Sequence, residues 1–209
     1  MDNRFNIKSF LWNLLIVNLL IASLYEMAFS NGQALTANTF SALKYYTVQS
    51  NILAGVASFI SLIFIVFKLK YPKWLVVFKL ISTCSVFLTF TTCVVYLGPA
   101  IGYLAIFSGV NLIMHLFTPL AAIFQFIFDE PKADLKFWHN GLSTITMLLY
   151  GIFYFVNIAL HNGFGNLEYD WYGFGMFGPV VGAVLYVVMA GVIFGLSCIL
   201  YFSYKKMRR

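Results

Sequence analysis

Ten consecutive residues, VVMAGVIFGL at Val187–Leu196, carry no charged or hydrogen-bonding side chain. The stretch SLIFIVF at Ser61–Phe67 is apolar in the same way after its leading serine. A strand of a membrane β-barrel alternates polar and apolar side chains over about ten residues, whereas a helix surrounded by lipid is apolar on every side. These stretches therefore predict membrane-spanning helices.

Six apolar segments of this kind follow one another along the 209-residue chain. At about 1.5 Å per helical residue, each segment is long enough to cross about 30 Å of hydrocarbon. Only 10% of the residues are charged, against about 25% in a soluble domain. We therefore predict an all-α, polytopic membrane protein that forms one domain over residues 1–209. The predicted spans are residues 9–29, 45–67, 74–97, 107–128, 137–160 and 179–203.

The chain has 13 Lys and Arg residues against seven Asp and Glu, a formal charge of +6. Such a surplus suggests a nucleic-acid partner in a soluble protein, but here it follows the spans. Only Lys44 lies at one end of the predicted bundle, and the other twelve basic residues lie at the end that carries both termini. The positive-inside rule therefore places both termini in the cytoplasm. We expect no nucleic-acid partner and a multi-pass protein of the plasma membrane. The twelve basic residues at the predicted inner side are Arg4, Lys8, Lys68, Lys70, Lys73, Lys79, Lys132, Lys136, Lys205, Lys206, Arg208 and Arg209.

One of these residues, Lys79, lies inside a predicted span. It is close enough to the inner end of that span for its ammonium group to extend to water. We therefore expect Lys79 to be solvated at the membrane surface.

The three cysteines also lie within predicted spans. Cys84 and Cys93 are nine residues apart on one helix, about 13.5 Å along its axis, which is too far for a disulfide. The sequence has no C-x-x-C or similar ligand spacing, so we predict neither a metal nor a cofactor. The expected role of Cys84, Cys93 and Cys198 is packing.

An ionisable side chain at membrane depth is costly and is therefore a candidate functional residue. His115 is the most deeply placed, about eight residues into the fourth span, with Asn111 one turn before it and Thr118 one turn after it. The alternative is an imidazole that only joins two helices through a hydrogen bond. At this depth we favour a functional role.

A polar cluster, KYYTVQSN at Lys44–Asn51, opens the second span. At helical spacing Thr47, Ser50 and Asn51 share one face near the predicted outer end. One interpretation is a polar seam that joins helices. The other is a nucleophile, since a threonine hydroxyl attacks an acyl carbon when a base, usually an imidazole, lies within about 2.6 to 3.2 Å.

Thr47 and His115 are one possible nucleophile and base. Depth is counted from the predicted inner end of each helix. Thr47 lies 21 residues from Lys68, or ~31 Å, and His115 lies 14 residues from Asp129, or ~21 Å along the helix. A tilt of the longer helix by about 20 to 30° reduces the difference in depth. The spacing permits the pair without requiring it.

At these residues the chain resembles the small membrane hydrolases of the androgen-induced and androgen-dependent TFPI-regulating protein family. Lys44-x-x-Thr47 is similar to the Lys-x-x-Thr that opens the family's second helix, and Asn111-x-x-Met114-His115 is similar to its Asn-x-x-Met-His. The residues that follow Thr47 look more like a microbial branch than like the eukaryotic members. Weaker similarity lies in Tyr150-Gly151, His161 and Trp171-Tyr172.

The resemblance implies a lipid ester hydrolase in which Thr47 is the nucleophile and His115 the general base. Its substrates would be fatty acid esters of hydroxy fatty acids, which enter from the bilayer, and water from the outer face would hydrolyse the acyl-threonine. The oxyanion needs hydrogen-bond donors, and Asn111 or Asn157 would orient His115. The candidate donors and substrate contacts are Lys44, Ser50, Asn51, Asn111, Asn157, His161 and Trp171.

Two other functions remain open. His115 and the Lys44–Asn51 cluster would line the polar path of a multi-spanning transporter or lipid-binding protein, although the two halves of the chain lack the similarity that inverted repeats produce. An acyltransferase would form the same acyl-enzyme and use an acceptor other than water.

The last outer loop and the last span carry two further patterns. The loop 161–179 contains Tyr169, Trp171 and Tyr172, which are expected at the interface, where the loop caps the outer end of the bundle. Gly191-x-x-x-Gly195 indicates close helix packing, within one chain or between two. The sequence leaves the oligomeric state open.

Overall fold

The computed structural model describes residues 7–29 and 39–208. Within these ranges the chain is helical, without strands, and six of its helices are long and apolar enough to cross a membrane. This confirms the predicted all-α fold with six spans. The six helices are α1 (Ile7–Phe29), α2 (Tyr46–Val66), α3 (Lys73–Ile101), α4 (Val110–Asp129), α5 (His139–Leu160) and α6 (Pro179–Met207).

The helix ends have simple local causes. Pro72 precedes α3 and Pro179 opens α6, positions where the missing amide hydrogen of proline costs no helical hydrogen bond. Helix α6 continues to Met207, beyond the predicted end at residue 203, with Lys205 and Lys206 in its last turn. Basic side chains there interact favourably with the negative end of the helix dipole.

The connections divide between two ends of the bundle. We call one the basic end, which carries the connections 67–72 and 130–138 and the end of α6. The other is the loop end, which carries residues 39–45, 102–109 and 161–178. Arg4 and Arg209, which contribute to the predicted charge asymmetry, lie outside the described residues. That the basic end faces the cytoplasm stays a prediction.

Helix α3 is central to the packing. It contacts α2, α4, α5 and α6, while α1 packs against α2 and α4. The main hydrophobic core joins α3, α5 and α6 through residues such as Leu80, Tyr154 and Leu200, each at most 1% exposed. The outer surfaces of α1 and α6 are largely apolar and exposed, as expected for helices that face lipid.

Lys79 differs from expectation. Its side chain is 1% exposed, and its Nζ donates to Asn13 Oδ1 and to Ser58 Oγ, each at 2.9 Å. The prediction that Lys79 reaches water at the surface is wrong, because α1 and α2 supply polar acceptors inside the bundle.

Three glycines on α6 have different surroundings. A Cβ added to Gly182 would lie 2.7 Å from the backbone carbonyl oxygen of Phe174, whereas Gly191 and Gly195 have no described atom within 4 Å. Close packing through Gly191-x-x-x-Gly195 therefore does not occur among residues 7–29 and 39–208. The close approach is instead between α6 and the loop that precedes it.

We expect Gly182→Ala to destabilise the protein by about 1 to 3 kcal/mol, because a backbone carbonyl cannot move aside as a flexible side chain does. The matched control is Gly191→Ala on the same helix, which should be neutral or stabilising by up to about 1 kcal/mol through helix propensity. Thermal unfolding in detergent measures both variants. Equal unfolding temperatures would show that the loop does not pack on Gly182.

Candidate functional site

His115 lies in a distorted part of α4. Residues Ile113–Phe117 form a π-helical turn, a widened turn that is often found at functional sites. Before α4 the chain forms the short helix Tyr103–Ile106 between Gly102 and Gly109, whose φ angles are 95° and 54°. Positive φ is easily adopted only by glycine, so these two residues allow the chain to fold back toward α4.

This fold-back orients the imidazole of His115. The side chain is 7% exposed, and its Nδ1 lies 2.9 Å from the carbonyl oxygen of Ile106. A carbonyl only accepts hydrogen bonds, so Nδ1 carries the hydrogen and the lone pair of the neutral ring is on Nε2. Nε2 is therefore the atom of His115 that can take a proton.

The group that orients His115 is one that sequence reasoning missed. The residues suggested for this role were Asn111 and Asn157, but Asn157 Nδ2 donates to the carbonyl of Tyr169 at 3.2 Å. Asn111 lies in the first turn of α4, where its backbone amide donates to the carbonyl of Ser108. Every residue has a backbone carbonyl, so the identity of residue 106 could not predict this contact. The glycines at 102 and 109 were the available hint that the chain reverses here.

Thr47 is the second residue of α2 and is partly buried. The start of this helix is capped from the last loop, because the backbone N–H of Tyr46 donates to the hydroxyl of Tyr172 at 2.9 Å. Burial raises the pKa of Tyr172 to about 12, so its hydroxyl stays uncharged. The loop thus holds the first turn of α2, and with it Thr47, in place.

Asn51 connects Thr47 with the neighbourhood of His115. Its Nδ2 donates to the carbonyl of Thr47 at 2.8 Å and to the carbonyl of Met114 at 3.1 Å. Val48 and Met114 belong to one small hydrophobic cluster, which packs the same two elements together. The structure thus brings the turn of α2 that carries Thr47 against the residue that precedes His115.

The predicted oxyanion donors Ser50 and Asn51 are already engaged. The hydroxyl of Ser50 donates to the Thr47 carbonyl at 2.9 Å and lies 3.1 Å from Thr89 Oγ1, and both N–H groups of Asn51 have carbonyl partners. Asn51 Oδ1, in contrast, is buried without a partner in the described part of the chain. In this conformation Ser50 and Asn51 position the turn that carries Thr47.

Lys44 and Trp171 meet at the loop end. The Lys44 ammonium lies 5.0 Å from the ring centroid of Trp171 and 5.5 Å from that of Tyr45, within cation–π range. Trp171 Nε1 donates to the Tyr150 hydroxyl, which in turn donates to the Lys44 carbonyl. The loop 161–178 therefore covers the beginning of α2.

Asp170 organises this loop. The residue is fully buried, and its Oδ2 accepts from the backbone N–H groups of Gly165 at 3.2 Å and Gly175 at 2.9 Å. Its Oδ1 accepts from the Tyr154 hydroxyl on α5. Asp170 thus ties both arms of the loop to the bundle. An acidic residue among glycines was the sequence signal for this role.

His161 lies outside this arrangement. It is exposed, its Nδ1 lies 2.8 Å from the Asn157 carbonyl oxygen, and its ring stacks on Tyr169 at 4.3 Å between centroids. Both His161 and Asn157 therefore support Tyr169 in the loop.

No cluster of three or more metal-ligating side chains occurs in ranges 7–29 and 39–208. No family model, curated protein or solved structure matches this chain.

Proposed function

We propose that this membrane protein is an intramembrane ester hydrolase in which Thr47 is the nucleophile and His115 the general base. The observation that carries the proposal is the hydrogen bond between His115 Nδ1 and the Ile106 carbonyl. It fixes the tautomer in which Nε2 accepts a proton, the arrangement that a general base requires. Asn51 supports it by joining the turn of Thr47 to Met114.

In the proposed reaction, His115 Nε2 removes the proton from the Thr47 hydroxyl as the oxygen attacks the acyl carbon. The tetrahedral intermediate collapses to an acyl-threonine, and the imidazolium returns the proton to the leaving alcohol. Water, deprotonated by His115, then releases the carboxylic acid and restores Thr47. Thr47 lies at the N-terminus of α2, where the helix dipole favours the developing negative charge.

The proposed substrates are lipid esters, such as fatty acid esters of hydroxy fatty acids. An open groove of about 310 Å³ lies between α1 and α4, and its lining includes Trp12, Leu19, Phe117 and Phe124. The lining is apolar, and Phe117 belongs to the same π-helical turn as His115. An acyl chain that enters between α1 and α4 would fit this chemistry.

The test is covalent labelling of the purified protein in detergent with a phosphonate probe that traps activated hydroxyl nucleophiles. We expect the wild-type protein to be labelled and Thr47→Val to be unlabelled, because valine keeps the shape of threonine without the hydroxyl. Thr144→Val, which removes a hydroxyl bonded to the Gly141 carbonyl on α5, is the matched control and should be labelled normally. Labelling that persists in Thr47→Val would remove Thr47 from the nucleophile role.

A further inference from the structure

A second buried polar cluster lies in the half of the bundle toward the basic end, away from Thr47 and His115. It contains two ionisable side chains, Lys79 on α3 and Glu130 just after α4, each 1% exposed. Burial of a charge costs several kcal/mol unless partners compensate for the lost water. We call this set the Lys79 cluster; its members are Asn13, Ser58, Tyr71, Lys79, Gln125 and Glu130.

The two ionisable groups bind neutral partners. The Lys79 amine donates to Asn13 Oδ1 and Ser58 Oγ, both at 2.9 Å. The Glu130 carboxyl accepts from the Tyr71 hydroxyl at 2.7 Å and from Gln125 Nε2. The two acceptors pair both N–H groups of a neutral amine, or two of the three N–H groups of an ammonium.

Glu130 is the member suited to bind a proton. The titratable and charged groups around it are Lys79 on α3, Tyr71 in the connection 67–72, and Tyr204 and Arg208 at the end of α6. Burial raises the pKa of Glu130 above its ordinary range, and Lys79 opposes that shift. Burial and the adjacent Glu130 carboxyl raise the pKa of Tyr71, so the phenol stays neutral and continues to donate.

Two side chains at the basic end, Arg208 and Tyr71, contact Glu130. Arg208 Nη1 donates to the carbonyl of Phe128 at 2.8 Å, and its Nη2 donates to the backbone carbonyl of Glu130. Tyr71 OH, the donor to the carboxyl, is 2.7 Å from Ser61 Oγ on α2. Arg208 and Tyr71 thus contact the backbone and the carboxyl of Glu130, respectively, at the basic end.

On its other side the Lys79 cluster borders an apolar layer. Each of the helices α1 to α4 contributes one or two residues to this layer, which are Ile16, Ala54, Val86, Ala121 and Ala122. Polar residues lie on both sides of it along the helices. On α2 Asn51 and Ser58 are seven residues apart, as are Thr118 and Gln125 on α4, about 10.5 Å in each case. The layer thus lies between the two polar regions on α2 and α4, whereas α3 carries the buried polar residues Ser82, Thr83 and Ser85 at this level.

One atom in the cluster and one beside it are suited to bind water. Gln125 Oε1 is buried without a partner among the described residues, and so is Thr83 Oγ1, one turn from Lys79 on α3. Buried polar atoms of this kind commonly bind internal water.

We propose that Lys79 and Glu130 form a proton-binding site in the basic-end half of the bundle, which exchanges protons with the solution at that end. The exchange is the transfer of one proton to the Glu130 carboxylate, which becomes a carboxylic acid, or its release to water. The site does not depend on Thr47 chemistry.

Infrared difference spectroscopy of the protein in lipid nanodiscs, between about pH 6, where exposed carboxyls are already ionised, and alkaline pH, tests the proposal. We expect the carbonyl band of a protonated carboxylic acid to disappear as the pH rises, and Glu130→Gln to remove this band. The matched control is Glu168→Gln, which changes an exposed carboxyl in the loop 161–178 and should keep the band. A band that survives Glu130→Gln, or its absence at every pH, would overturn the proton-binding role.

Lys79→Gln tests the coupling of the pair while keeping hydrogen-bonding groups in place. Loss of the nearby positive charge should move the titration of the Glu130 band upward by about 1 to 3 pH units. An unchanged midpoint would show that Lys79 does not belong to the site.

The pH dependence of unfolding provides a second measurement on the same variants. Glu130 titrates at its ordinary value of 4.5 in the unfolded chain and higher in the folded protein. Between these values the folded state binds more protons, so the stability due to Glu130 is complete below pH 4.5 and is lost as the pH rises through the folded value. Glu130→Gln should remove this loss of stability. A pH profile of unfolding identical to that of the wild-type protein would contradict the proposal.

Discussion

Replacement of His115 by asparagine is expected to lower kcat/KM for lipid ester hydrolysis by about 10²- to 10⁴-fold, the usual contribution of a general base. The asparagine amide can still donate to the Ile106 carbonyl, which His115 Nδ1 contacts at 2.9 Å, but it has no basic nitrogen. The variant therefore removes the proton acceptor while it preserves the local hydrogen bond. Steady-state kinetics in detergent with a medium-chain ester measure the loss.

His139→Asn is the control for this experiment. His139 lies at the basic end, where its Nδ1 accepts from the backbone N–H of Lys136 at 2.7 Å, a bond that an asparagine oxygen can keep. The turnover of the His139→Asn variant should stay within about twofold of wild type, since a change far from the reacting groups removes no transition-state interaction. Turnover of His115→Asn that equals that of His139→Asn would eliminate His115 as the base.

Asp170→Ala is expected to destabilise the protein by about 3 kcal/mol or more, because it leaves two N–H groups and a hydroxyl without their acceptor. These donors are the backbone amides of Gly165 and Gly175 and the hydroxyl of Tyr154. Tyr172, which caps α2, follows two residues later, so a loosened loop should also lower turnover. Thermal unfolding and proteolysis of the loop 161–178 report the two effects.

Two variants delimit the role of Asp170. Asp170→Asn retains one acceptor oxygen and should lose less stability than Asp170→Ala. Glu168→Ala removes an exposed carboxylate from the same loop and should change stability by no more than about 0.5 kcal/mol. If Asp170→Ala is as stable as Glu168→Ala, the buried carboxylate does not hold the loop.

The spans were predictable because lipid imposes a local requirement. A helix in hydrocarbon must be apolar over about 20 consecutive residues, and this can be read from a stretch such as residues 187–196 without knowledge of its neighbours. The predicted and observed limits of α2 differ by one residue at each end, 45–67 against Tyr46–Val66. The interruptions of α4 were not predicted, since π-helical turns at Ile113–Phe117 and Gln125–Asp129 have no apolar pattern of their own.

The candidate site was only partly predictable. His115 and the cluster around Thr47 stand out from sequence because polar groups are rare among apolar spans. Their partners do not, because they come from distant parts of the chain: Asn51 reaches Met114, 63 residues away, and Tyr172 reaches Tyr46, 126 residues away. Lys79 shows the same limit, since its position near a helix end predicted exposure and the packing of α1 and α2 buried it.

The sequence by itself thus determined the number of spans and the few polar side chains that are costly at membrane depth, because both follow from the transfer of single residues into hydrocarbon. Only the tertiary structure decided which nitrogen of His115 is free, which carbonyls hold Asn51, and that Lys79 and Glu130 are buried on the far side of an apolar layer. These properties depend on directional hydrogen bonds between helices, and the order of residues along one helix does not encode which neighbour it meets.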